Sequence, residues 1–173
     1  MRGVGATVIA VWRGDIAQCT EVDAVVNAAN EHLTRGSGVC GAIFRSAGAG
    51  QLTEACDAIG HCATGDAVVT PGFGLSARWI IHTVGPHWID GNHDEAQLLA
   101  SSYQRALEVA DEIGARSVAF PAISTGIFGV PAELGGRIAV EAIRSAATDV
   151  EKVLLVAYND EWATRWTRLL AAR

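Results

Sequence analysis

The chain has 173 residues, half of them apolar and 18% charged, with a net charge of −6; that suits one domain with a well-filled core and excludes global disorder. Of 13 basic residues only Lys152 is a lysine, and the arginines are scattered singly, so no basic footprint exists for nucleic acid or an anionic membrane. The chain start, MRGVGATVIAVWRGD, has too short an apolar run for an export signal, and no stretch approaches the roughly 18 uncharged apolar residues of a membrane-spanning helix. The expectation is a cytoplasmic, single-domain protein over 1–173. Cys19, Cys40, Cys56 and Cys62 show no CxxC spacing and read as free thiols.

In chain order, strand-like and helix-like runs alternate. Residues 7–13 (TVIAVWR) and 24–27 (AVVN) read as strands, 39–46 and 51–59 as helix, and 67–70 and 79–84 as strands again. From 94 to 113, Leu99, Tyr103, Ala106, Ala110 and Ile113 recur at three- and four-residue steps, and Gly114 stops the run. A strand over 117–121 precedes a helix over 131–148, opened by Pro131 and striped by Leu134, Ile138, Ala142 and Ala146. A strand over 152–158 leads to a last helix over 160–171, with Trp162, Trp166 and Leu169/Leu170 on one face. Several strands are continuous Val/Ile/Leu runs, the pattern of parallel strands buried on both faces. Strands alternating with covering helices give a three-layer α/β/α domain.

Two glycine clusters follow predicted strands. The first is Asn27-Ala-Ala-Asn30 with Gly36-Ser-Gly-Val-Cys-Gly41 opening a helix; the second is Ser124-Thr-Gly-Ile-Phe-Gly129. Ligands of open α/β sheets lie outside the carboxyl ends of strands, where both clusters fall. Glycine lets backbone amides approach a phosphate, and the following helix dipole adds to the attraction. Such glycines also serve simply as tight turns, but two clusters on one sheet edge, with an asparagine pair, favour a grip on a diphosphate that needs no lysine. Residues 36–41 fit G-x-G-x-x-G, yet five residues separate them from Asn30 and no acidic-ended second strand follows, which disfavours a nucleotide-binding oxidoreductase. No Gly-Lys-Ser/Thr occurs, so a P-loop is excluded.

Gly14-Asp15-Ile16, Val26-Asn-Ala-Ala-Asn30, the 36–41 loop and Ile123-Ser-Thr-Gly-Ile-Phe-Gly129 together resemble the macrodomain family, in order and spacing, over about 8–170. The resemblance implies a three-layer α/β/α macrodomain fold, with a mixed, largely parallel sheet of six or seven strands and a cleft for ADP-ribose. On that resemblance Asp15 accepts from the adenine amino group beside the Ile16 backbone, and Tyr158 lies against adenine. Gly36, Ser37, Gly38, Val39, Cys40 and Gly41, with Ser124, Thr125, Gly126, Ile127 and Gly129, hold the diphosphate and distal ribose, and Phe128 packs on that ribose. Asn30 bonds the ribose and helps place a water, while Asn27 braces the loop. Taken alone, without the resemblance, Asp15 reads rather as a helix cap, the asparagines as turn residues, and Tyr158 and Phe128 as core aromatics.

The implied activity is hydrolysis of ADP-ribosyl esters, on glutamate or aspartate of proteins and on O-acetyl-ADP-ribose, with ADP-ribose and ADP-ribosylated proteins as partners. Asn30 and, more weakly, Cys40 are the catalytic candidates. Cys40 stands where the hydrolytic branch usually carries aspartate, so the alternative is a reader that binds ADP-ribose and cleaves nothing. No cofactor is implied. Cys56, His61, Cys62, His82 and His87 match no zinc spacing, so no metal is expected.

Overall fold

The aliphatic runs form strands because a strand covered on both faces has no polar side to show. The structure, a computed structural model, describes residues 5–172; residues 1–4, where the chain start read above begins, and residue 173 lie outside the described residues. Strands β1 (Val8–Arg13), β2 (Ala24–Ala28), β3 (Ala67–Pro71), β4 (Trp79–Thr83), β5 (Ser117–Phe120) and β6 (Lys152–Ala157) make one sheet in the order β1-β6-β5-β2-β4-β3. All neighbours pair in parallel except β3, which runs antiparallel to β4 at one edge.

Helices α1 (Gly38–Ala47), α2 (Ala49–Ile59), α3 (Glu95–Glu112), α4 (Ala132–Ser145) and α5 (Asp160–Ala171) cover the sheet. One face, with Val25, Ile80 and Leu154 pointing outward, lies under α1, α2 and a short 3₁₀ turn, Ile16–Gln18. The opposite face, with Val26, Phe120 and Leu155, lies under α3, α4 and α5. The two sets alternate along each strand, as side chains of an extended chain must. This is a mixed, largely parallel six-stranded sheet in a three-layer α/β/α domain, the architecture that the resemblance implies.

Leu99, Tyr103, Ala106 and Ala110 of α3 and Trp162, Trp166 and Leu169 of α5 are buried, as their spacing predicts. The Asn159 side chain caps α5 by accepting from Trp162 N at 2.9 Å. Helix α4 differs from the expectation. It ends at Ser145, where Ala146 turns to extended backbone, and its buried face is Gly135, Gly136, Ala139, Val140, Ala142 and Ile143, whereas Leu134 and Ile138 are only half-buried. A β-carbon on Gly136 would stand 2.7 Å from Leu169 Cδ1; the bare backbone there is what lets α5 approach α4. All four cysteines are free and buried, and burial pushes the Cys56 and Cys62 thiols up to about 11.

Candidate functional site

At the carboxyl ends of β1, β6, β5 and β2, the chain leaves the sheet in loops that enclose a cleft of about 730 Å³. Sheet order sets the order of its walls: Asp15 follows β1, Tyr158 follows β6, the second glycine loop follows β5 and the first follows β2. Asp15, Ile16, Asn30, Gly36, Ser37, Gly38, Val39, Cys40, Ser124, Thr125, Gly126, Ile127, Phe128 and Tyr158 all line it. Asn27, Gly41 and Gly129 do not. The sequence reading missed Arg13 and the small floor residues Ala28, Ala29, Pro121 and Ala122, together with Val156.

The first glycine loop is tied down by side chains. Asn30 Oδ1 accepts from His32 N, Thr34 N and Thr34 Oγ1 at 3.1, 3.1 and 3.2 Å, and its amide nitrogen donates to Thr34 O at 3.0 Å. The asparagine expected to face the ligand is therefore also the one that braces the loop. Asn27, expected as the brace, is 1% exposed. Its amide nitrogen reaches His82 Nδ1 at 3.0 Å and Cys40 Sγ at 3.7 Å. The physical reason is strand alternation: Asn27 lies within β2, one residue before its end, and points under α1, while Asn30 lies beyond the strand on the loop itself.

Helix α1 starts at Gly38, with Ser37 at its N-cap making no side-chain cap bond. The first N–H groups of a helix have no partner within it, so the α1 amides are open to an anion at the cleft wall. Gly38 adopts φ +60°, which glycine takes without strain. Gly41 has a different duty: its β-carbon would stand 2.7 Å from Gly36 O, so the helix lies directly against the loop that precedes it.

The second loop is held by backbone. Gly129 N donates to Gly126 O at 3.0 Å and Val130 N to Ser124 O at 2.9 Å. Tyr103 of α3 fixes its entry, donating to Pro121 O at 3.2 Å and accepting from Ile123 N at 3.0 Å. Ser124 adopts φ +65°, its buried Oγ having no partner among the described residues. Phe128 is stacked by His87, ring centroids 3.7 Å apart, and its carbonyl accepts from Trp88 N at 2.7 Å. Those two residues belong to a loop wound on Glu95, whose carboxylate takes four backbone N–H groups from Ile89, Asp90, Gly91 and His93. Burial alone would raise the Glu95 pKa, but the four donors hold it at about 2.

At the β1 end, Asp15 Oδ1 accepts from Ala17 N at 2.9 Å. Asp15 is a helix cap, as it reads taken alone, and also part of the cleft wall. Arg13 donates to Tyr158 O at 2.9 Å and to Asp160 Oδ1 at 3.3 Å; it pins the Tyr158 backbone and leaves the ring, 63% exposed, at the rim. Toward the β2 end, Cys40 is the one titratable side chain lining the cleft among the described residues. Its thiol donates to Thr34 O at 3.8 Å.

Residues 26–139 match the Macro domain family. The chain belongs to the macrodomain family. This macrodomain is 47% identical over 167 residues to the O-acetyl-ADP-ribose deacetylase of Salmonella typhimurium, with 92% of each chain covered. Its fold is similar to the solved Oceanobacillus iheyensis macrodomain with ADP, at TM-score 0.88 and 33% identity over 97% of this chain and 92% of that one. It is similar also to the Trypanosoma brucei macrodomain in complex with ADP-ribose, at TM-score 0.85 and 32% identity, over 94% of this chain and 68% of that one.

Proposed function

We propose that the cleft binds ADP-ribose and that the protein hydrolyses ADP-ribosyl esters: O-acetyl-ADP-ribose, and ADP-ribose esterified to glutamate or aspartate side chains of proteins. The observation that carries this is the pair of glycine loops facing each other across one cleft, with Asp15 and Tyr158 beyond them at one end. Adenine lies at the β1–β6 end, its amino group on Asp15 and its ring on Tyr158. The diphosphate crosses between the α1 amides and the 124–129 backbone, and the distal ribose reaches Phe128 and Asn30. The deacetylase of Salmonella and the ADP-ribose-bound relative support the same ligand class.

The chemistry follows from what surrounds the distal ribose. No carboxylate or imidazole lines that end among the described residues, so the proton acceptor is the substrate's own diphosphate oxygen, bent toward a water by the two loops. The water attacks the ester carbonyl or the ribose C1″, the ester bond breaks, and ADP-ribose leaves with the free carboxylic acid. Positioning and fixed amide dipoles supply the acceleration.

Single-turnover release of acetate from O-acetyl-ADP-ribose, and of ADP-ribose from a glutamate-modified protein, tests the proposal. Release in neither assay, with ADP-ribose still bound, would leave the second reading, a non-cleaving reader. The feature favouring that reading is Cys40, a thiol where the hydrolytic branch usually carries a carboxylate.

A further inference from the structure

Beneath the first glycine loop runs a chain of buried polar groups that the proposed mechanism does not use. Thr70 of β3, His82 of β4 and Asn27 of β2 are 3%, 1% and 1% exposed. The sheet brings them together: Asn27 and His82 face each other in the parallel β2–β4 register, and Thr70 lies diagonally across the β3–β4 pair. All three point to the α1 side.

With Asn27 Nδ2 directed at His82 Nδ1, as the structure has it, the hydrogens in this chain have one consistent assignment. The Thr70 hydroxyl donates to Pro71 O at 3.1 Å, so its oxygen accepts from His82 Nε2–H at 3.0 Å. A neutral imidazole carries one hydrogen, and burial keeps this one neutral, its pKa pushed down to about 4. His82 Nδ1 is therefore bare and accepts one hydrogen of the Asn27 amide at 3.0 Å. The second amide hydrogen goes to Cys40 Sγ at 3.7 Å, which also accepts from Gly36 N at 3.4 Å. Asn27 Oδ1 is buried and has no donor among the described residues. Nothing holds the oxygen, so the orientation of the amide rests on the two acceptors of its nitrogen.

We propose that Thr70 and His82 are positioning residues for the ligand cleft: the Thr70 hydroxyl selects the His82 tautomer, the tautomer orients the Asn27 amide, and that amide holds Cys40 Sγ where it anchors Gly36 of the first glycine loop. Removing the hydroxyl strands Nε2–H in an apolar site. The imidazole then favours Nδ1–H, which needs an acceptor; the Asn27 amide turns to offer Oδ1, and Cys40 Sγ and Gly36 lose their tie. The link to ligand affinity rests on the reading that the cleft holds ADP-ribose; the link from Thr70 to Gly36 does not.

The experiment compares the wild-type chain with Thr70→Val, Thr70→Ala and Thr70→Ser. It reads the His82 tautomer from ring ¹⁵N shifts, hydrogen exchange of the Gly36 amide, and ADP-ribose affinity by calorimetry. Expected are Nε2–H in wild type and Thr70→Ser, and Nδ1–H in Thr70→Val, with Gly36 exchange faster and affinity weaker by about tenfold, the scale of one hydrogen bond lost. Thr70→Ala removes the same hydroxyl with no added bulk and gives the same result should Thr70→Val fold poorly. An unchanged tautomer and Gly36 signal in the hydroxyl-free variants overturns the proposal, as does equal loss of affinity in Thr70→Ser. A wild-type protein that does not bind ADP-ribose removes the proposed function, while the tautomer and the Gly36 signal still decide the coupling.

Discussion

The loop after β2 and the loop after β5 face each other across the cleft and are held in different ways. The first hangs on side chains: four hydrogen bonds to Asn30 from within, and Cys40 with Asn27 from beneath. The second is held by its own turn hydrogen bonds and by Tyr103 at its entry. Glycine content alone would rank the first loop, with three glycines to the second loop's two, as the more pliable. Their supports instead make the first sensitive to side-chain chemistry and protonation, and the second to anything that alters or fills its backbone.

The sharpest test is on the second loop. A β-carbon on Gly126 meets nothing within 4 Å, so Gly126→Val leaves the fold intact and places its bulk where a phosphate would lie. Affinity for ADP-ribose, roughly micromolar at the outset, falls about a thousandfold, or ~4 kcal/mol, with the melting temperature unchanged. Normal binding by calorimetry would remove this loop from the ligand site.

The corresponding test of the first loop is pH. Burial lowers the His82 pKa from 6.5 to about 4, so between those values the unfolded chain binds a proton that the folded one refuses. That stability is complete above pH 6.5 and is lost as pH falls toward 4, by about 3 kcal/mol in total. Denaturant unfolding across that range measures it, and His82→Gln flattens the profile. An equally steep profile in His82→Gln would show that the support beneath the loop is not what titrates.

Asn30→Ala removes the four bonds within the first loop. The expected result is a loss of about 1 kcal/mol of stability, since the group is partly solvated, and a larger loss of ester cleavage, about thirtyfold or ~2 kcal/mol of barrier. Cleavage at the wild-type rate would make its bracing role dispensable and remove the proposed ribose contact. Smallest of all is Cys40→Ala. As a positioner of the loop, the thiol contributes at most about tenfold, ~1.4 kcal/mol. A thousandfold drop with ADP-ribose affinity intact would make it a nucleophile and overturn substrate-assisted attack.

Much of this contrast was legible in the sequence, and the rest was not for physical reasons. Both loops announced themselves by glycines after aliphatic strands, because the chain must turn sharply there and leave its amides open. Helix α3 was readable because Leu99, Tyr103 and Ala106 carry the hydrophobic signal on the face that is buried. Helix α4 was not, because Gly135 and Gly136 form the packing face and have no side chain to signal it. The division of labour between Asn27 and Asn30 depends on where β2 ends, which spacing alone leaves uncertain. His82 and Thr70 gave no warning, since only strand register brings them beside Asn27. Arg13 read as the last residue of a strand, and its hold on Tyr158 spans β1 and β6, far apart in sequence.

The cleft is built without lysine, and that shapes how an anion would arrive. Lys152 donates to Glu21 O at 2.8 Å and does not line the cleft, and Arg13, the one basic side chain lining it among the described residues, is engaged by Tyr158 and Asp160. Amide dipoles act only at contact, whereas the net charge of −6 repels a diphosphate from a distance. Dissolved ions screen that long-range field over roughly 8–10 Å and leave hydrogen bonds at contact largely untouched. Added salt therefore speeds capture of the ligand, opposite to the behaviour of an anion site furnished with lysines, whose electrostatic steering salt abolishes.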